Sequence, residues 1–227
     1  MRKASPQQGF TLVELLVVIA IIAILGVLTV PAITSSLRGS ALSQGGQKVI
    51  NEIAAARQSA LAQDRVVEVR FYQLAKAGMP GEVAGNANSG KFRAMQTFIF
   101  DSSGNATALD KVQWLPDSVI MDSNATLSTL LDTSTVAKTA SSVVPLPWTA
   151  TDPQILLPTV GTSYNVCAFD FQPDGSTNLA DLPPIGKPWF ITLHSLSSGD
   201  NLAVLPKNFF IFQIDAVNGH VLNYRPQ

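Results

Sequence analysis

The sequence predicts an α+β protein, with one long N-terminal helix packed on an antiparallel β-sheet head. Three observations predict it. Phe10 to Pro31 is almost wholly apolar, with Glu14 its only charge and Thr11 and Thr29 its only other polar side chains. Apolar residues then keep helical spacing as far as Gln63. From Val66 the hydrophobic period drops to two, and short apolar runs alternate with turn signals to the end of the chain. A helix followed by many short strands is the pattern of an α+β fold.

The first half of the helix is expected to span a membrane. At about 1.5 Å per residue, the run from Phe10 to Pro31 reaches roughly 33 Å, enough to cross the hydrocarbon core of a bilayer. Arg2 and Lys3 lie just upstream, and basic flanks stay on the cytoplasmic side. A secretory signal peptide also has basic residues before an apolar core, but that core is about 7–15 residues long and ends in small residues. This run is longer, contains Glu14, and offers only Val30-Pro31-Ala32 as a cleavage point.

Glu14 is the informative residue. A carboxylate near the start of a membrane helix costs a few kcal/mol, so a partner is expected. Were the chain cut after Gly9, Phe10 would carry a new α-amino group. That amine and the Glu14 carboxylate could neutralise each other, within one chain or between neighbours.

The second half, residues 32–63, reads as an amphipathic continuation. Leu42, Val49, Ile53, Ala56 and Ala60 fall on one face, widened by Ile50, Ala54 and Leu61. Gly39 and Gly45-Gly46 weaken the helix by about 1 kcal/mol each relative to Ala. Residues 64–227 form the expected β-rich head. Val67, Val69 and Phe71 alternate with Glu68, Arg70 and Tyr72, as in a half-buried strand. Further strands are expected at Arg93–Phe100, Val112–Leu115, Val119–Met121, Tyr164–Phe171, Trp189–His194, Phe209–Ile214 and Val221–Tyr224. Asn218-Gly219 suits a type I′ turn between the last two. Lys76–Lys91 reads as a loop. A Ser/Thr-rich insertion covers residues 123–151, with one helical turn expected at Leu127–Leu131.

Composition narrows the function. The 227 residues suit one domain plus an anchor, and 46% are hydrophobic, enough for a real core. Net charge is −1, which suggests no nucleic-acid partner. Arg38 to Arg93 carries net +4 and the chain beyond it net −6, so complementarity between stacked subunits is one reading and scattered solvated charge the other. Cys167 is the only cysteine, which rules out an intramolecular disulfide; its apolar neighbours suit a small buried hydrophobe.

No catalytic set stands out. His194 and His220 both lie beside predicted strands and read as surface or cap histidines. No G-x-S-x-G, S-x-x-K or H-E-x-x-H occurs. Gly85 to Lys91 imitates the start of a phosphate loop, but Phe92 stands where the metal-binding hydroxyl should be, and a strand follows rather than a helix. Asp170 and Asp174-Gly175 are weak metal candidates without EF-hand spacing, so no metal is expected. No cofactor is implied.

The basic leader, then G-F-T-L-V-E (Gly9–Glu14), then about twenty apolar residues closed by Pro31 resemble the prepilin leader and N-terminal helix of type IV pilins and pseudopilins. The resemblance implies cleavage after Gly9 by prepilin peptidase and N-methylation of Phe10. It implies filament assembly through Glu14 and Pro31, and a helix weakened around Gly26 to Pro31. It further implies a single-pass bacterial inner-membrane protein with a periplasmic head, drawn into a periplasmic filament with other pilin-like subunits.

In the head, A-A-A-R-Q-S-A-L-A-Q (Ala54–Gln63) followed by V-V-E-V-R-F (Val66–Phe71) resembles the minor pseudopilin H of type II secretion and the related FimT-type minor pilins. The segments R-F-Y-Q (Arg70–Gln73), F-Q-P-D-G-S-T (Phe171–Thr177), W-F-I-T-L (Trp189–Leu193), L-P-K-N-F (Leu205–Phe209) and the ending G-H-V-L-N-Y-R-P resemble the Verru_Chthon cassette protein D family more closely still. The expected function is therefore a minor pseudopilin, a structural subunit and not an enzyme. A DNA-uptake minor pilin is one alternative, although Arg225 is the only basic side chain after Lys207 apart from His220. A signal-anchored periplasmic hydrolase is another.

Overall fold

The structure, a computed structural model, describes residues 10–104, 106–131, 164–180 and 188–226, with the backbone alone at 27–33. Most of the Ser/Thr-rich insertion, and Gly9 with the rest of the expected leader, lie outside the described residues. The chain falls into two compact units, Met1–Ser40 and Ala41–Gln227.

The first unit holds the start of helix α1 (Leu12–Gln63). Its backbone stays helical through Gly26–Pro31, although Pro31 brings no amide hydrogen to the ladder. Leu12, Val13, Leu15, Leu16, Val17, Val18, Ile19, Ile21, Ile22, Ile24 and Leu25 are all exposed. A helix apolar on every side is suited to lipid or to the interior of an assembly rather than to water. Among the described residues no helix is long and apolar enough to cross a membrane. The expected span runs on through Val27–Pro31, whose side chains are outside the description.

In the second unit the rest of α1 packs on an antiparallel sheet. The strands are β1 (Val67–Leu74), β2 (Lys91–Phe100), β3 (Ala106–Ala108), β4 (Gln113–Trp114), β5 (Val119–Met121), β6 (Tyr164–Phe171), β7 (Trp189–Ser195), β8 (Phe209–Ile214) and β9 (Val221–Tyr224). Their order is β6-β1-β2-β5-β7-β8-β9, with β3 and β4 also paired to β2. Every pairing is antiparallel. The helical stripe read from spacing is the stripe that is buried: Leu42, Val49, Ile53, Ala56 and Ala60 are at most 1% exposed. They join Val67, Val69 and Phe71 of β1, Phe169 and Phe171 of β6 and Phe210 and Phe212 of β8 in one core. Cys167 lies in this core as a small hydrophobe.

Gly46 explains a cost that propensity alone makes puzzling. A Cβ at this position would stand 2.6 Å from Cγ of Phe210. The glycine lets α1 approach β8 more closely than any side chain would allow.

Three expectations need correction. β1 is not half-buried: Glu68, Arg70 and Tyr72 are as buried as Val67, Val69 and Phe71. The reason is a second packed layer on that face, where Tyr72 joins Leu74, Ala94 and Tyr164 in a smaller cluster with Val112, Trp114 and Val166 against it. Arg70 pairs with Glu68 and lies 4.0 Å over the Phe98 ring, so the buried charge is met by a carboxylate and an aromatic face. The β8–β9 hairpin exists, but not on a type I′ turn. That turn needs positive φ at both central residues, and only Gly219 has it (φ +67°). Asp215 caps the longer loop instead, accepting from the backbone amides of Val217 and Asn218 at 2.9 and 3.2 Å. The third concerns His194, which is fully buried rather than at the surface.

Lys76–Lys91 is a structured loop. A single 3-10 turn, Ala87–Ser89, is capped by Asn86. Glu82 accepts from the Lys76 amide at 2.8 Å and pairs with buried Arg93. Lys91 opens β2 and meets Asp200 at 3.3 Å, so a strand follows Gly85–Lys91 rather than the helix that a phosphate loop leads into. The expected turn within Leu127–Leu131 is a 3-10 turn at Thr129–Leu131.

Candidate functional site

The N-terminal site begins with how α1 starts. Thr11 is the residue before the first helical one, and Glu14 is three residues on. The Glu14 amide donates to Thr11 Oγ1 at 3.3 Å, and the Thr11 amide donates to Glu14 Oε2 at 2.9 Å. The Thr11 hydroxyl adds a third bond to the same oxygen at 2.7 Å. This reciprocal arrangement is a capping box, which satisfies two amides that a helix start would otherwise leave bare. T-x-x-E ahead of an apolar run carries that signal in the sequence, separate from the charge of Glu14.

The box has a functional consequence. It engages Glu14 Oε2 with the amide and hydroxyl of Thr11, while Oε1 makes no hydrogen bond among the described residues. Phe10 is 83% exposed. The carboxylate is thus held in the first turn of an apolar helix. Pro31 lies on the helical backbone but outside the described side chains.

The weak metal candidates do not form a site. Asp170 lies on β6, opposite Glu68 of β1, and is buried. Its Oδ2 accepts from Asn178 Nδ2 at 3.0 Å, and its amide donates to Asn178 Oδ1 at 2.8 Å. Burial, reinforced by the charge of Glu68 and opposed by Arg70, pushes its carboxyl up to about 7. Asp174 is on a surface turn, where the Ser176 hydroxyl and amide donate to its Oδ1 at 2.6 and 2.9 Å and hold its pKa down. Among the described residues no three His, Cys, Asp or Glu side chains are grouped to hold a metal.

His194 is the residue that sequence reasoning misplaced. It is fully buried, not a surface or cap histidine. Its Nε2 is 2.8 Å from Asp122 Oδ2, and its Nδ1 is 3.0 Å from the Ser195 carbonyl oxygen. A His-Asp pair beside serines invites comparison with a hydrolase. Here the nitrogen that should accept a proton from a nucleophile faces a carbonyl oxygen, and no substrate can reach it. His194 is therefore not a general base. His220 is exposed.

The family described as the prokaryotic N-terminal methylation motif matches residues 4–30, which include Gly9, Phe10 and Glu14. This motif fits a membrane-anchored, pilin-like protein. The type IV minor pilin FimU of Pseudomonas aeruginosa is among similar solved structures: identity is 11%, TM-score 0.40, and the match covers 82% of this chain and 92% of that one. No curated protein matches the chain.

Proposed function

We propose that this chain is a minor pseudopilin, a prepilin-like structural subunit of a type II secretion or type IV pilus-like filament. It is cut after Gly9 by prepilin peptidase and N-methylated at Phe10. The 10–31 helix anchors it in the bacterial inner membrane, with the N-terminus cytoplasmic and the head periplasmic, until it joins a filament. The observation that carries the reading is the methylation motif over residues 4–30. The exposed apolar helix and the Glu14 carboxylate at its tip support it. Within a filament Glu14 pairs with the Phe10 amine of a neighbouring subunit, which removes the cost of an unpaired carboxylate in apolar surroundings.

The capping box sharpens the test of that pairing. Gln serves in a capping box as Glu does, so Glu14→Gln keeps the helix start and removes only the charge. Glu14→Ala removes both. Both variants are expected to insert and to be cleaved, yet to be lost about tenfold or more from the sheared-filament or cross-linked fraction, a difference equivalent to about 1.4 kcal/mol. Normal incorporation of Glu14→Gln with loss of Glu14→Ala would mean that Glu14 serves the helix cap alone.

A further inference from the structure

We propose that His194 is a proton-controlled latch that holds the 122–131 and 196–202 segments onto the sheet. The geometry is the ground for this. A carbonyl oxygen can only accept, so the Ser195 oxygen requires a proton on Nδ1. As a carboxylate Asp122 can only accept, and it takes the backbone amides of Asn124 at 2.7 Å and Leu202 at 3.2 Å, so its contact with Nε2 requires a proton on that nitrogen. Beside the Asp122 carboxylate both requirements are met by the imidazolium, whereas a neutral imidazole has one N–H.

The charges around the ring agree. Asp122 follows β5, Asp200 lies in the segment after β7, and Lys91 opens β2 and pairs with Asp200. With His194 charged, two carboxylates face two cations. Deprotonation leaves the group one negative charge in excess, with Asp122 and His194 wholly buried. Burial by itself pushes the His194 pKa down. The bonds to Asp122 and the Ser195 carbonyl, with the charges of Asp122 and Asp200, outweigh it and raise the pKa above 6.5.

The latch has definite parts to release. Three consecutive residues are tied to the segment after β5: Asp200 accepts from the Ser123 amide at 3.0 Å, Asn201 from Asn124 Nδ2 at 2.9 Å, and Leu202 donates to Asp122. Asn201 sits at φ +55°, a left-handed conformation that these bonds hold in place. On the other side, Ser128 Oγ accepts from the Thr192 amide at 3.1 Å, and Thr192 Oγ1 donates to the Leu127 carbonyl. Asp122 and His194 join the two segments at the β5–β7 pairing.

The sign follows from linkage. A histidine whose folded pKa is raised contributes its full stabilisation below about pH 6.5, the unfolded value, and loses it as pH rises through the folded pKa. Between those two values, opening of the segments becomes about tenfold more favourable per pH unit.

Full-length protein in detergent micelles provides the test. The chain has two histidines, so His220→Gln leaves one imidazole signal, and its nitrogen shifts report the protonation of His194 directly. We expect a doubly protonated ring at pH 6.5 and deprotonation at higher pH. Hydrogen exchange, corrected for its intrinsic pH dependence, should then show loss of protection over 122–131 and 196–202 but not over β1 and β2. Asp122→Asn should move both midpoints to lower pH. A singly protonated His194 at pH 6.5, or loop protection that ignores the ring's titration, would overturn the latch, and both readouts come from protein with Asp122 and His194 intact.

Discussion

Gly90→Ala is expected to destabilise the head by about 3 kcal/mol, the upper part of the range for overpacking a closed site. Gly90 ends the 3-10 turn Ala87–Ser89 and sits directly on the last residues of β1. A Cβ there would run into the carbonyl carbon of Leu74 and the amide nitrogen of Ala75. These are backbone atoms of a buried strand end, so no rotamer change relieves the overlap. The Gly90 carbonyl also accepts from Gln73 Nε2 at 3.2 Å, a bond that any shift of the turn would stretch. For a domain of this size the loss corresponds to a fall in Tm of about 6–12 °C, measurable by thermal unfolding in detergent. Gly39→Ala is the control: nothing lies within 4 Å of its Cβ position, and it is on the helix, so Ala is expected to be neutral or stabilising by up to about 1 kcal/mol. If both variants melt like the wild type, the close contact at Gly90 is not what the structure describes.

Gly9→Val is expected to abolish processing. A peptidase that cuts after this residue must bring its catalytic groups to the Gly9 carbonyl from a short distance, and a β-branched side chain stands in the way. The uncut chain keeps an amide at Phe10 instead of an amine, so Glu14 loses the cation it is proposed to meet in a neighbour. The variant should accumulate in the membrane fraction with its leader attached and be absent from filaments. Gly9→Ala, with one methyl group, should be cut slowly rather than not at all. Equal processing of all three would remove Gly9 from the proposed cleavage site.

The parts of the fold legible in the sequence were those set by local periodicity. Leu42, Val49, Ile53, Ala56 and Ala60 could be placed on one buried face because a helix repeats every few residues, and all five are buried. The strands at Tyr164–Phe171, Phe209–Ile214 and Val221–Tyr224 have the expected limits for the same reason. What depended on distant partners was not legible. Glu68 and Arg70 alternate with Val67 and Val69 as a solvent face would, yet side chains from distant strands, Phe98 of β2 and Asp170 of β6 among them, share that face and are buried with them. β5 pairs with β7 across more than 60 residues, and nothing in either segment names the other. His194 carried no signal of burial because its partner, Asp122, is 72 residues away. At the N-terminal site the motif was legible as a pattern, and the capping bonds between Thr11 and Glu14 added what the pattern leaves out: which oxygen of Glu14 is already engaged.

The central claim is that this chain is a processed prepilin, and the N-terminus of the protein extracted from membranes of a host with prepilin peptidase tests it most directly. Intact-mass measurement with N-terminal fragmentation should find a chain that begins at Phe10 and carries one methyl group on its α-nitrogen. A chain that begins at Met1, or at Ala32 after ordinary signal cleavage, would contradict the account.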